Sequence, residues 1–318
     1  MPVLSVLRLL NIDSEDFLLT ELLNLLDNSN IKYLQDEPMK NHTSFKTGGA
    51  AELFIIPENC EELSSVLLKC NELNIVPFIL GNGSNLLISD DGIKSRPVIQ
   101  IGKGFDFIKK IDCNTVEIGA GTNLTAACRF ALNESLSGLE FAFGIPGSCG
   151  GAAFMNAGAY GGEMKDVLVR VNHIDMNGNA GAFEGNELDL SYRHSVYSDG
   201  GYVITSIVVR LTKGDYNTIE AKMKDLIGRR KDKQPLEYPS AGSVFKRPEG
   251  YFAGALIEQN GLKGKRIGGA MVSEKHAGFI INYDNATTSD IINLIRHCQA
   301  VVKENSGVEL ETEIRIIS

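Results

Sequence analysis

Between Gly144 and Gly162 the chain reads GIPGSCGGAAFMNAGAYGG, with seven glycines, at 144, 147, 150, 151, 158, 161 and 162, and no charged side chain. Glycine loses more backbone freedom on folding than any other residue. A run this dense therefore persists where the main chain must take positive φ or lie against something bulky. Short side chains such as Ser148 and Ala152 leave backbone N–H groups free to face phosphate or ring atoms. A flexible linker would share the glycine content, but not the three large side chains Phe154, Met155 and Tyr160. The segment reads as a buried ligand cradle.

Two further glycine turns precede it. Thr47, Gly48 and Gly49 form a turn ahead of a strand at 51–56, and Gly81, Asn82, Gly83, Ser84 and Asn85 follow the strand PFIL. The second turn has the composition of a pyrophosphate nest. It matches GxGxxG only in part, because Leu86 takes the last glycine position and the chain continues into the apolar run LLIS. A Rossmann unit would open a helix there.

Apolar spacing predicts helices at 15–27, 60–73, 123–132, 216–234 and 289–304, the last closed by Gly307. Alternation predicts strands at 115–119, 167–176, 201–211 and 278–284. At the end of the chain, VELETEIRIIS, alternation puts Val308, Leu310, Ile314 and Ile316 on one face and Glu309, Glu311, Glu313 and Arg315 on the other. Three carboxylates on one face repel unless solvated or paired, so one of them is a candidate to face a site. Glu311 and Glu313 stand about 7 Å apart on such a strand, and a slip in register would exchange them. The helix at 216–234 ends in Arg229, Arg230, Lys231 and Lys233, ordinarily a solvated complement to the helix dipole. Here that end runs toward another glycine loop, YPSAGSVFKRP.

A net charge of −9 argues against general nucleic-acid binding. Six scattered cysteines without a CxxC pair read as reduced thiols, and five isolated histidines offer no metal-ligand spacing. The opening MPVLSVLRLL lacks a basic region ahead of its apolar residues, and no apolar run reaches membrane-spanning length. A cytoplasmic protein without membrane partners is expected.

Six segments, NHTSFKTGGAAELF, GNGSNLLISDDG, GLEFAFGIPGSCGGAAFMNAGAYGGE, SYRHS, AGSVFKRP and LETEIRII, together resemble the UDP-N-acetylenolpyruvoylglucosamine reductase family in order, from about residue 40 to the end. The resemblance implies an α+β chain: a vanillyl-alcohol-oxidase-type (PCMH) FAD-binding fold of two subdomains, plus a smaller α+β C-terminal substrate domain. The corresponding division is an N-terminal helical segment at 1–40, FAD-binding subdomains at 41–105 and 106–213, and a substrate-binding domain at 214–318. The flavin loops would be Thr47, Gly48 and Gly49; Gly81, Asn82, Gly83, Ser84 and Asn85; and Gly144, Pro146, Gly147, Ser148, Gly150, Gly151 and Ala152. The short interval from Arg193 to Ser243 resembles the subclass without an inserted tyrosine-bearing loop.

What the resemblance implies for chemistry is reduction, by NADPH through FAD, of the enolpyruvyl ether of UDP-N-acetylglucosamine to UDP-N-acetylmuramate, a step toward peptidoglycan. The partners are those small molecules alone, and a monomer is expected. Arg193 matches the family's catalytic arginine, whose planar fork suits a carboxylate. Ser243 matches the general acid, with Lys246 and Arg247 beside it to help a weakly acidic hydroxyl. Glu313 matches the acidic partner, protonated or sharing a proton when the substrate carboxylate is present. Tyr192, Arg230, Lys233 and Arg247 match substrate-binding positions near the nucleotide. Two other readings remain: a different flavin-dependent oxidoreductase of the same fold, and a non-catalytic nucleotide-binding protein. Taken without the family pattern, Arg193, Ser243 and Glu313 would be a surface charge, a turn residue and a solvated strand position.

Overall fold

The computed structural model describes residues 14–318 apart from residue 95. The opening MPVLSVLRLL, and the reading made of it, lie outside the described residues. Helix α1 (Ser14–Asn28) buries Leu22 and Leu26 of its leucine face. Strand β1 (Lys32–Pro38) then pairs antiparallel with β2 (Ala50–Ile56). The 1–40 segment is therefore not only helical: its last residues extend the first sheet.

Helix α2 (Cys60–Glu72) is capped by Asn59, whose side chain accepts from the Glu62 N–H, and buries Leu63, Val66, Leu67 and Cys70. Three short strands follow, β3 (Phe78–Leu80), β4 (Leu86–Ile88) and β5 (Val98–Gln100). The first sheet runs β1-β2-β5-β3 and becomes parallel after its first pair. Continuous apolar runs such as FIL and LLI fit strands covered on both faces.

The second sheet is antiparallel, in the order β12-β11-β13-β7-β6. Its strands are β6 (Ile108–Lys110), β7 (Thr115–Gly119), β11 (Leu168–Asp175), β12 (Ala180–Glu184) and β13 (Tyr202–Arg210). Between β7 and β11 lie α3 (Leu124–Asn133), β8 (Leu136–Ser137), α4 (Cys149–Phe154) and a hairpin of β9 (Gly158–Ala159) and β10 (Gly162–Glu163). The glycine cradle thus contains the short helix α4 and leads through the β9–β10 hairpin. Leu124, Ala127, Cys128, Ala131 and Leu132, the inward set expected of α3, are all buried.

After β14 (Thr212–Lys213), helix α5 (Tyr216–Lys233) puts Ile219 and Met223 into the large core shared by both sheets. A boundary at 214 would assign this helix to the substrate domain. Its packing against α3 and the turn at Glu140–Ala142 places it with the flavin-binding half.

A separate core gathers α6 (Ala253–Gln259), the sheet of β15 (Arg266–Ile267), β16 (Ala270–Val272) and β17 (Ile280–Asn282), and α7 (Thr288–Ser306). Phe45 and Leu87, from the first subdomain, enter that core. The last strand, β18 (Arg315–Ile317), returns to pair in parallel with β4. Asp90 reinforces the junction, accepting from the Thr288 and Ser289 N–H groups that open α7. The end of the chain is therefore built into the first subdomain, directly after the Gly81–Asn85 loop. No helix among the described residues is long and apolar enough to cross a membrane.

Candidate active site

Two of the three glycine loops, at 81–85 and 144–152, meet. A Cβ added at Gly81 would stand 2.8 Å from the Ser148 Oγ, and one at Gly147 would stand 3.3 Å from the Ser84 Oγ. Ser148 also caps α4, accepting from the Gly151 N–H at 3.3 Å. Gly83 has φ +60°, and a Cβ there would overlap the His42 carbonyl oxygen. Gly83→Ala is expected to lower the unfolding free energy by at least about 1–2 kcal/mol from the left-handed backbone alone. Urea unfolding midpoints of the two proteins check this; an unchanged midpoint would show that the loop is free to move.

Not every glycine of the cradle waits on a ligand. Gly150 donates its N–H to the Ala120 carbonyl at 2.9 Å, and its missing side chain makes room for the Ala120 Cβ. Gly162 makes room for the Phe141 ring. Part of the glycine density therefore serves close packing of the chain on itself.

Two buried side-chain atoms have no hydrogen-bond partner among the described residues, the Thr47 Oγ1 and the Arg230 Nε. Thr47 lies in the first glycine loop. Arg230 is 7% exposed, its Cδ stands 3.6 Å from where a Gly144 Cβ would be, and its guanidinium lies 6.0 Å from the Tyr160 ring centre. Burial pushes the Arg230 guanidinium below the usual arginine range, against the opposing influence of Tyr160. A buried cation without an ion pair is costly unless something from outside the chain completes it. Orphaned donors around touching glycine loops fit a dinucleotide with a pyrophosphate. Arg230, expected beside the nucleotide of the substrate, packs against Gly144 at the start of the cradle.

The candidate catalytic residues converge on the end of that cradle. Arg193 Nε donates to Glu313 Oε1 at 2.7 Å, with both side chains largely buried. Tyr192 donates its hydroxyl to Glu313 Oε2 at 3.3 Å and accepts from the Arg247 N–H. Burial, and then the Glu313 charge, push the Tyr192 phenol up, which keeps it a donor. The Glu313 N–H donates to the Val244 carbonyl at 2.7 Å, so Ser243 sits next to the residue that holds the Glu313 main chain. Its hydroxyl makes no hydrogen bond among the described residues, and nothing lies within 4 Å of a Cβ placed at neighbouring Gly242. Glu311, the other carboxylate, is exposed and pairs with Lys246 at 3.2 Å.

Some expectations need correction. Asn85 does not hold its side chain free for a cofactor: Nδ2 donates to the Glu313 carbonyl at 3.1 Å, while the Asn85 carbonyl accepts from Arg315. Lys246 and Arg247 do not contact Ser243; Lys246 is on Glu311, and the Arg247 guanidinium lies 4.0 Å from the Phe252 ring centre. Lys233 is exposed at the end of α5. The expected alternation of the last segment fails near its end: Ile317 is buried and Ile316 is 44% exposed. Asn156 was missed by the sequence reading. It is 1% exposed, with a hydrogen-bonded side chain beside this cluster, and only its place inside the glycine run signalled it.

A double-subdomain α+β fold with joined glycine loops, matching an FAD binding domain over residues 51–181, is that of an FAD-dependent oxidoreductase. Residues 51–181 match the FAD binding domain family, and residues 234–317 match the family described as UDP-N-acetylenolpyruvoylglucosamine reductase, C-terminal domain. The chain belongs to the UDP-N-acetylenolpyruvoylglucosamine reductase family. Its relatives of that name include one from Clostridium botulinum, 50% identical over 92% of this chain and 94% of the relative. One from Clostridium perfringens is 51% identical over 89% and 92% respectively. The crystal structure of UDP-N-acetylenolpyruvylglucosamine reductase from Thermus caldophilus superimposes with a TM-score of 0.77 at 35% identity, covering 91% of this chain and 99% of that one. The C-terminal match begins at 234, directly after α5, in keeping with the packing of that helix.

Proposed function

We propose that this protein reduces the enolpyruvyl ether of UDP-N-acetylglucosamine to UDP-N-acetylmuramate, with FAD as bound carrier and NADPH as reductant. The observation that carries the residue assignments is the Arg193–Glu313 pair, held at 2.7 Å, with the Ser243 loop hydrogen-bonded at Val244 to the Glu313 main chain.

The loops Thr47–Gly49, Gly81–Ser84 and Gly144–Ala152 hold the cofactor, with Thr47 Oγ1 and Arg230 Nε as unpartnered donors toward it. FAD, when bound, carries hydride from NADPH to the enol ether. Arg193 receives the substrate carboxylate. One N–H is engaged by Glu313, and its remaining donors form no hydrogen bond among the described residues. Negative charge that develops on the α-carbon and its carboxylate is stabilised there, where the donors are fixed in advance. Ser243 gives the α-carbon its proton. Glu313 has one oxygen on Arg193 and the other on Tyr192, and so fixes both side chains at the substrate carboxylate. Tyr192 and Arg247 line the substrate side, and Lys233 meets the nucleotide. The protein is read as a monomer, and the nucleotide substrates suit a cytoplasmic reaction.

The purified protein should be yellow, bleach with NADPH, and regain colour when UDP-N-acetylglucosamine enolpyruvate is added without oxygen. Colour that returns equally without that compound would sink the substrate assignment. A colourless protein that takes up no FAD would sink the enzyme reading altogether. Lys233→Ala should raise the KM for the nucleotide sugar several-fold while leaving kcat within about two-fold, the pattern for loss of binding shared by ground and transition states. An unchanged KM would remove Lys233 from the nucleotide site.

A further inference from the structure

Arg193 stands in a backbone conformation that side chains rarely adopt. Its φ is +57°, and Ser191 and His194 exchange both main-chain hydrogen bonds around it, so Tyr192 and Arg193 form the two corners of a tight turn. Positive φ at the second corner normally selects Gly or Asn. An arginine held there persists only if the surroundings determine the turn more strongly than the backbone resists it.

Those surroundings come from the end of the glycine cradle. Asn156 donates from Nδ2 to the Ser191 carbonyl at 2.9 Å and to Glu163 Oε2 at 2.9 Å, and its Oδ1 accepts from the Lys165 N–H at 2.9 Å. Every hydrogen-bonding position of the side-chain donor is thus occupied, and the residue is 1% exposed. Glu163 is held ionised, its carboxyl pushed below the ordinary range by the hydrogen bond from Lys165 and also by that from Asn156. On the far side of the turn, the Ser195 Oγ donates to the Phe154 carbonyl at 2.8 Å, and Ser195 is fully buried. The turn that carries Arg193 is therefore pinned at both ends to residues 154 and 156, which close helix α4.

We propose that Asn156 is the positioning residue of Arg193, holding its turn so that the guanidinium meets Glu313 and the substrate carboxylate in one fixed orientation. The kinetic part of this proposal rests on the assignment of Arg193 to the half-reaction with the enolpyruvyl substrate. Asn156 itself touches neither substrate nor reacting atoms. It acts through the Ser191 carbonyl, and Ser195 is its counterpart.

Two variants keep the backbone compatible. Asn156→Asp retains the shape and the acceptor for Lys165 but loses the donor to Ser191. Asn156→Gly tolerates positive φ and removes the side chain. In the FAD-loaded enzyme, each is expected to slow reoxidation by the enolpyruvyl substrate at least ten-fold more than it slows reduction by NADPH. In an Arg193→Gln background, the same change should add less than about two-fold, since residues that act as one unit are not additive. A direct reading of position comes from nitrogen-15 NMR of the arginine Nε–H groups, with Arg193→Gln to assign the signal. The Arg193 Nε–H should exchange slowly with solvent in the parent enzyme and rapidly in both Asn156 variants.

Equal slowing of both half-reactions, the same added factor in the Arg193→Gln background, or an Nε–H exchange rate unchanged in the variants would each overturn the proposal. If Arg193→Gln alone reoxidises at the parental rate, the catalytic assignment of Arg193 fails, and the exchange measurement still decides whether Asn156 positions it.

Discussion

Ser243→Ala should leave reduction of the bound flavin by NADPH within about two-fold of the parent and slow its reoxidation by the enolpyruvyl substrate by about 10²–10⁴-fold, the range for loss of a positioned proton donor. The structure gives three grounds. The hydroxyl makes no hydrogen bond among the described residues, so the fold does not use it. The space beside Gly242 is open, so a ligand can come to it. The Val244 carbonyl holds the Glu313 N–H at 2.7 Å, so the main chain next to the hydroxyl is tied to that of Glu313. Stopped-flow absorbance of the flavin, with the two substrates added separately, separates the steps. If Ser243 were only a turn residue, the variant would show a shifted unfolding midpoint and parental rates in both half-reactions. Equal loss in both half-reactions would contradict a proton-donor role.

Much of the arrangement could be read from local chemistry. The helices follow from apolar spacing that the sequence displays, with Gly307 closing the last of them. Other features depend on contacts distant in sequence. Arg230 has the sequence setting of a solvated helix end, and only the way α5 lies against Gly144 makes it a buried cation. The alternation in VELETEIRIIS assumes one continuous strand, yet pairing there changes partner. Thr312 bridges to Phe245, whereas Arg315–Ile317 pairs with β4. That change of partner lets Ile314 and Ile317 both point inward, which strict alternation forbids. Asn85 lies in a glycine loop whose composition signals a phosphate site, and tertiary structure engages its side chain with Glu313 instead. The glycine run was legible as a constraint, but whether each glycine faces ligand or chain was not, because a missing side chain is silent about what takes its place. From alternation alone the C-terminal carboxylates Glu311 and Glu313 could be exchanged by a slip in register, and the resemblance assigns Glu313. Glu313 is the one hydrogen-bonded to Arg193 and Tyr192.

Replacing Arg193 by lysine tests whether charge or shape matters at that pair. Lysine keeps the positive charge and demands the same backbone, at φ +57°, so strain in the turn is common to both proteins. What it loses is the fork. Arginine offers separate donors in one rigid plane, one of which is on Glu313 at 2.7 Å while the others remain available to the substrate carboxylate. An ammonium is a point charge that can sit on Glu313 or on the substrate but cannot fix the angle between them. Its stem also lacks the flat face that Arg193 sets 5.0 Å from the Tyr192 ring centre. Since these donors act where charge develops, Arg193→Lys should lower the rate of reoxidation by the enolpyruvyl substrate by about 10²–10³-fold, the scale for removal of a preorganised donor. Substrate affinity should fall much less, because the charge remains, and reduction by NADPH should change least of the three. Single-turnover rates at saturating substrate, with affinity taken from the spectral change on binding to the oxidised enzyme, resolve the three quantities. A lysine variant that reoxidises at the parental rate would mean that the site needs a cation there and not a fork, and the bidentate role assigned to Arg193 would have to be abandoned.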